Sequence, residues 1–335
     1  MSAQASHYES DALPTETVDV VVIGGGAAGL NGALMLARSR RSVVVIDSGT
    51  PRNAPAAAVH GFIVLDGTPP PEILKRGRQQ VRGYGGRIVF GEVTAAEPSV
   101  PSADGDLQFT VTLADGRTLT ARRVLVATGL RDVLPEVPGL TEHWGSSVVH
   151  CPYCHGWEVR GEPIGILATG PASVHHAWLF RQLTDDLIYF TNGTELDADT
   201  RARFAARNVR IIETDVKEVV NDDGGTLAGV RLTDGTVVKR RILAVATQMQ
   251  ARTEGLEGLK LPMEDLPDNM GRRFASAMAG TTEIPGVWVA GNATDLTAQV
   301  GASAAAGALA GAHINALLAT ADTDVALAAV QKTTG

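Results

Sequence analysis

Val18-Asp19-Val20-Val21-Val22-Ile23, followed by Gly24-Gly25-Gly26-Ala27-Ala28-Gly29, decides the fold. The six residues before the glycines are a near-continuous apolar run rich in β-branched side chains, as a parallel strand covered on both faces requires. Gly24, Gly26 and Gly29 fit G-x-G-x-x-G. Leu30 to Arg38 then reads as a helix, and Ser42-Val43-Val44-Val45-Ile46 as a second strand closed by Asp47. Strand, glycine turn, helix, strand and acid stand in the order of a dinucleotide-binding βαβ unit. The turn leaves peptide N–H groups at a helix N-terminus for a diphosphate, and Asp47 is placed to accept from a ribose hydroxyl. Gly24, Gly26, Ala27, Ala28, Gly29 and Asp47 are therefore candidate cofactor residues.

Two further segments have the same character. Arg123-Val124-Leu125-Val126-Ala127-Thr128-Gly129 is a buried strand running into a small-residue turn, and Ile284-Pro285-Gly286-Val287-Trp288-Val289-Ala290-Gly291-Asn292-Ala293 repeats it. From about Ala302 to Leu318 an alanine- and glycine-rich helix follows, which packs closely on a helix, a sheet or a cofactor. Between these lies a copy of the first unit. It comprises the strand Glu162 to Leu167, the turn Ala168-Thr169-Gly170-Pro171-Ala172-Ser173, a helix from Val174 to Leu183 and the strand Leu187 to Phe190. Here Ala168 and Ser173 replace two fingerprint glycines, and Pro171 removes a backbone donor. Thr191-Asn192-Gly193 follows, with neither an acid for a ribose diol nor an arginine pair for a 2′-phosphate. This unit reads as a dinucleotide fold that has lost its ligand; the alternative is a variant loop that still binds.

Composition fits such an architecture. The chain has 335 residues, 44% hydrophobic and 20% charged, enough for two α/β domains with their own cores. A net charge of -8, with no lysine or arginine block, argues against nucleic acid as a partner. Residues 1–16 lack the basic and apolar regions of a secretion signal, and Val18 to Ile23 is too short to span a bilayer. No membrane partner is expected, and the cytoplasm is the expected location.

Cys151 and Cys154 are the chain's two cysteines. A lone Cys-x-x-Cys is poor zinc chemistry, because structural zinc takes four ligands, so a redox pair is the better reading and no metal is expected. Disulfide exchange needs an electrophilic disulfide, a base that makes the attacking thiolate and a sink for two electrons. His155, with an ordinary pKa near 6.5, deprotonates a thiol of about 8.5 better than a carboxylate near 4 does. The competing reading has His155 merely bonding a carbonyl at the loop end. His60 is either solvated or faces the cofactor, and His150 either lowers the pKa of Cys151 or packs the loop. His175 and His176, as helix neighbours, point to different faces, which argues against a shared metal.

In order along the chain, Gly24-x-Gly26-x-x-Gly29, Ala127-Thr128-Gly129, Cys151-Pro152-Tyr153-Cys154 and Gly286-Val287-Trp288-Val289-Ala290-Gly291-Asn292 resemble the low-molecular-weight thioredoxin reductases. The resemblance spans nearly the whole sequence. It implies two Rossmann-like, doubly wound, three-layer α/β domains. An FAD domain would be built from residues 1–134 and 252–335, with a degenerate nicotinamide-type domain, residues 135–251, inserted between and carrying the cysteines. It also implies a homodimer and an FAD site completed by Val93, Ala127, Thr128, Gly129, Gly291, Asn292, Gln299 and Val300. By the same resemblance, Cys151 meets substrate and Cys154 lies against the flavin.

Three departures bear on activity. The inserted unit lacks the nicotinamide fingerprint, His155 stands where those reductases carry aspartate, and Asn292 replaces the aspartate of their C-terminal FAD motif. This combination is similar to the FAD-dependent dithiol oxidases that close disulfides in sulfur-containing natural products of the gliotoxin and holomycin types, the holomycin type being nearest. A small dithiol from antibiotic biosynthesis is then the expected substrate, and O2, reduced to hydrogen peroxide, the expected acceptor. The rival readings are a thioredoxin-type reductase, fed by NADPH or another donor, and a flavin-bound redox sensor.

Overall fold

The computed structural model describes residues 9–103 and 105–334. The first eight residues, half of the stretch read above as carrying no secretion signal, lie outside the described residues. The chain begins β1 (Val18–Ile23), α1 (Ala27–Arg38), β2 (Val43–Asp47), α2 (Pro70–Gly83) and β3 (Arg87–Phe90). It continues through β4 (Val93–Ser99), β5 (Gln108–Leu113) and β6 (Thr118–Val126), then crosses on β7 (Leu130–Val133) into a second unit. That unit holds β8 (Val148–Val149), α3 (Pro152–His155), β9 (Ile164–Leu167), α4 (Ala172–Phe180), β10 (Leu187–Phe190), α5 (Ala198–Ala206) and β11 (Arg210–Ile212). It closes with β12 (Val216–Asn221), β13 (Leu227–Leu232), β14 (Val237–Lys239) and β15 (Ile242–Val245). The chain returns on β16 (Gln248–Ala251), followed by β17 (Met263–Leu266), β18 (Gly271–Phe274), β19 (Val287–Val289) and α6 (Val300–Thr334).

Register is what builds the site. In the first sheet, ordered β3-β2-β1-β6, Ile23 pairs with Ile46 on one side and Val126 on the other, and Val126 pairs with Val289 of β19. Four parallel strands therefore end in one row. The glycine turn, Asp47, the Ala127-Thr128-Gly129 turn and the Ala290-Gly291-Asn292 turn emerge at the same carboxyl edge, where open α/β sheets bind ligands. The apolar run of β1 alternates between two cores: Val20 and Val22 face α1 and α6, while Val21 and Ile23 face the layer of β4 and β5. Each such side chain contributes roughly 1.5–3 kcal/mol on burial. A single polar insertion in this run breaks one core.

Helix α6 is longer than the stretch expected from Ala302 to Leu318. Its first half packs on α1 so closely that a Cβ on Gly307 would run into the Ala28 carbonyl, and one on Gly311 would come within 2.5 Å of the Gly32 oxygen. That contact accounts for the small residues. Beyond Leu318 the helix is held by Asp322, which accepts from Arg41 and Arg122, each at 2.6 Å. By length and composition α6 could cross a bilayer, with mean hydropathy 1.3 in its most apolar window, a third of which is buried in the fold.

The second unit repeats the architecture: β11-β10-β9-β15-β8 form one fully parallel sheet, with α4 packed through Ala177 and Phe180 on Ile164, Ile166 and Tyr189. The expected helix from Val174 to Leu183 begins two residues earlier and ends at Phe180. Both units are doubly wound α/β layers. The two crossings pair with each other, β7 antiparallel to β16, so Asp132 lies opposite Met249.

Candidate active site

A cavity of about 1350 Å³ opens at the carboxyl edge of the first sheet and runs from the glycine turn and Asp47 to the Cys151–Cys154 disulfide. It exceeds the roughly 300–1,000 Å³ usual for a small-molecule pocket, which is room for a dinucleotide and a second molecule.

At one end, α1 begins on Gly26 with no side-chain cap and no acid in its first turn, so its leading N–H groups are left for a ligand. A Cβ on Gly26 would meet nothing within 4 Å. The other two fingerprint glycines serve the backbone instead. Gly24, at φ +107°, presses on the Ala127 carbonyl, and Gly29 lies against the carbonyl of Gly24. Gly29 therefore does not reach the cavity, contrary to expectation. Gly291 is likewise behind the wall, where a Cβ would sit 2.7 Å from that of Ala28. Asp47 is almost fully buried at the crevice, accepting from the Gly49 N–H at 3.1 Å, with Arg78 4.0 Å from its other oxygen.

The remaining expected residues, Ala27, Ala28, Val93, Ala127, Thr128, Gly129, Asn292, Gln299 and Val300, all line the cavity. The amide of Asn292 is committed to the chain: Nδ2 donates to the carbonyls of Asp295 (2.9 Å), Leu296 (3.3 Å) and Ala298 (2.8 Å). An aspartate could make none of these bonds, so Asn292 shapes the turn before α6. An open helix N-terminus, a buried acid one strand away and an apolar wall fit FAD.

Sequence patterns missed Arg252. Its N–H donates to the Gly129 carbonyl at 3.0 Å, its own carbonyl accepts from Thr128 Oγ1 at 2.9 Å, and its Nη1 donates to Thr50 O and Oγ1 at 3.0 and 3.1 Å. Burial and then the charge of Arg131 push its pKa down, while Asp47 opposes them. Arg52 and Arg131 on the same wall are matched by Asp132 and Glu254; among the described residues no carboxylate lies within ion-pair distance of Arg252.

At the other end, Cys151 caps the four-residue helix α3 and Pro152 starts it, with the two cysteines 5.2 Å apart at Cα. The N–H groups of Cys154 and His155 both donate to the Cys151 carbonyl, at 3.2 and 3.1 Å. His155 lines the cavity beside the disulfide. Burial, helped by His60, lowers its pKa against the opposing pull of Glu158, so it is neutral and able to take a proton at pH 7. His60 also lines the cavity, with Nδ1 3.5 Å from Asp66 and Nε2 3.4 Å from Glu158. His150 Nδ1 donates to the Val245 carbonyl at 3.0 Å, and burial lowers its pKa. A neutral His150 gives Cys151 no cationic neighbour, so of its two readings the packing one fits. Among the described residues no cluster fit to hold a metal ion is present.

The degenerate loop satisfies itself. The Thr169 N–H donates to Ser173 Oγ at 3.0 Å and Thr169 Oγ1 donates to the Ala246 carbonyl at 2.6 Å. The Asp268 carbonyl, from the turn between β17 and β18, stands 3.9 Å from where a Cβ on Gly170 would lie. The N–H groups of Thr169, Ser173 and Val174 are thus spent within the loop, and backbone from elsewhere sits beside it.

Residues 18–311 match the pyridine nucleotide-disulphide oxidoreductase family, and the chain belongs to it. Thioredoxin reductase tcpT of Claviceps purpurea is 35% identical, over 82% of this chain and 86% of that one. Thioredoxin reductase aclD of Aspergillus oryzae is 30% identical, over 82% and 88%. Among solved structures, HlmI is 44% identical with a TM-score of 0.88, covering 97% of this chain and 99% of its own. The protein is a flavoprotein of thioredoxin-reductase type, binding FAD and acting on disulfides or thiols, as the sequence resemblance implied.

Proposed function

We propose that this protein is a dithiol oxidase: it closes a disulfide within a small sulfur-containing molecule at Cys151–Cys154, and O2 is the final acceptor. One observation carries the reading. The redox disulfide shares its cavity with the cofactor cradle, while the loop that would take a nicotinamide dinucleotide bonds to itself.

The chain's own groups account for the thiol chemistry. A substrate thiol gives its proton to neutral His155 and attacks Sγ of Cys151. The Cys151–Cys154 bond breaks, Cys154 leaves as a thiolate, and a mixed disulfide joins substrate to Cys151. The second substrate thiol attacks the substrate sulfur of that bridge and expels Cys151, which closes the substrate's disulfide and leaves the enzyme cysteines reduced by two electrons. FAD, held by the glycine turn of residues 24–26 at the start of α1 and by Asp47, would supply the acceptor for those electrons, with O2 as terminal oxidant and hydrogen peroxide as its product. In this reading residues 1–134 and 252–335 form the FAD domain and residues 135–251 the redox domain of a cytoplasmic homodimer.

The names of tcpT and aclD favour a second reading, a disulfide reductase. Anaerobic mixing separates the two. A small dithiol bleaches the flavin and NADPH does not, with peroxide formed in step with thiol consumed once air is admitted. Rapid bleaching by micromolar NADPH would overturn the oxidase reading.

A further inference from the structure

His176 has no part in the chemistry above, yet it lines the same cavity as the disulfide, together with His175 and Leu179 of α4. Its ring packs edge-on between His150, at 5.1 Å, and Phe180, at 6.2 Å. Its Nδ1 is enclosed and has no hydrogen-bond partner among the described residues. Burial, followed by the neighbouring His150 and His175, brings its pKa to about 3, so near neutral pH the ring is uncharged and is no proton carrier. A neutral imidazole has one N–H. A buried N–H without a partner is rarer than an unpaired acceptor, so the less costly tautomer leaves Nδ1 bare and puts the proton on Nε2, the nitrogen free to meet a ligand.

In a working dinucleotide unit this helix receives the diphosphate. Here its loop is closed by Thr169 and Ser173, and the helix contributes side chains to the thiol cavity instead. The cavity that holds the cysteines is lined by apolar Pro55, Ala58, Val59, Trp144 and Leu179 as well as by histidines, and of its arginines Arg52 and Arg131 are paired with Asp132 and Glu254. His150 is held by the Val245 carbonyl and His155 serves the thiol step, which leaves His176 as a neutral donor to orient an uncharged, oxygen-bearing ligand.

We propose that His176 is a substrate-binding residue that donates from Nε2 to a carbonyl oxygen of an uncharged dithiol held over Cys151. The inference rests on the dithiol-oxidase reading, and its test is a binding measurement that needs no turnover. The probes are the S-methylated forms of two dithiols: bis(mercaptoacetyl)-dimethylhydrazine, which carries amide carbonyls, and dithiothreitol, which has none. Each is titrated against the holoenzyme and followed by perturbation of the flavin absorbance. His176→Phe, which keeps the ring packing, weakens the diamide at least tenfold and shifts the dithiothreitol derivative less than twofold, while His176→Asn restores part of the loss. Equal effects on both probes, or none on the diamide, overturn the assignment. Should His176→Phe not fold, His176→Asn and His176→Ala carry the same comparison. Failure of the parent reading shows separately, as a flavin that neither free dithiol bleaches.

Discussion

Arg52 grips Asp132 with both prongs of its guanidinium, Nε to Oδ2 at 2.6 Å and Nη2 to Oδ1 at 2.7 Å, joining the loop over the cavity to the first crossing strand. The Asp132 side chain is 4% exposed and also accepts from Thr247 Oγ1, just before the return strand, at 2.7 Å. Loop and both crossings therefore meet on one carboxylate. Burial raises the Asp132 pKa, but the hydrogen bonds and charge of Arg52 outweigh it and hold the group below the usual carboxylate range. Arg52→Ala strands that charge and costs about 3 kcal/mol. Arg52→Lys recovers less than half, because an ammonium cannot make the fork. Urea unfolding measures both, and a loss under about 1 kcal/mol for the alanine variant contradicts the account.

Legibility tracks sequence distance. The glycine turn, Asp47 and the Cys-Pro-Tyr-Cys-His run could be read because their chemistry sits within a few residues or a fixed βαβ spacing. Arg52 and Asp132 are 80 positions apart, and Thr50 and Arg252 are 202 apart. Those pairs exist because strand register brings distant turns to one edge, and no local pattern marks them. Gly29 and Gly291 show the converse limit, since a motif names residues that a cofactor needs without saying which touch it. The helix after Leu318 went unread because its apolar pattern fades while its alanines still favour helix.

Arg252 is held by Thr50 on the cavity wall, its charge only partly offset by Asp47, with no carboxylate within ion-pair distance among the described residues. A bound diphosphate supplies that offset. Arg252→Ala therefore weakens FAD binding to the deflavinated protein by about tenfold or more, roughly 1.4 kcal/mol, and flattens the salt dependence of binding. Quenching of flavin fluorescence on titration gives the constants. An unchanged affinity and salt slope would return Arg252 to a backbone clamp for Thr128 and Gly129.

His155 sets the acid side of the rate profile. Its pKa is lowered in the fold, so the neutral, proton-accepting form persists below the ordinary 6.5, and flavin reduction by a dithiol holds its rate until the pH falls under that value. His155→Ala slows the step by roughly 10²–10⁴-fold near neutrality. The loss shrinks at alkaline pH, where a thiol of about 8.5 ionises unaided. The same depression has a sign in stability: the unfolded chain binds the proton first, so stability linked to His155 is present above 6.5 and drains as the pH falls. Stopped-flow bleaching across pH, with unfolding curves at pH 7 and 5, checks both limbs. A loss that does not vary with pH makes His155 structural.

The two cysteines differ in what each leaves behind. Both line the cavity, Cys151 as the cap of α3 and Cys154 within its single turn, joined by their disulfide. If Cys154 is the thiol beside the cofactor, Cys151→Ser leaves a lone thiolate against oxidised flavin, and a broad long-wavelength absorbance follows that fades on acidification. Cys154→Ser lacks that band. Its remaining Cys151 is the more readily alkylated thiol, because reactivity follows thiolate character and access. With His150 neutral and His155 following Cys154 on the same cavity, His155→Ala in the Cys151→Ser background moves the fading of the band to higher pH. A band in Cys154→Ser instead exchanges the two roles. A band in neither variant means that the pair does not reach the flavin at rest, and that the unit carrying α3 must turn on β7 and β16 before electrons pass.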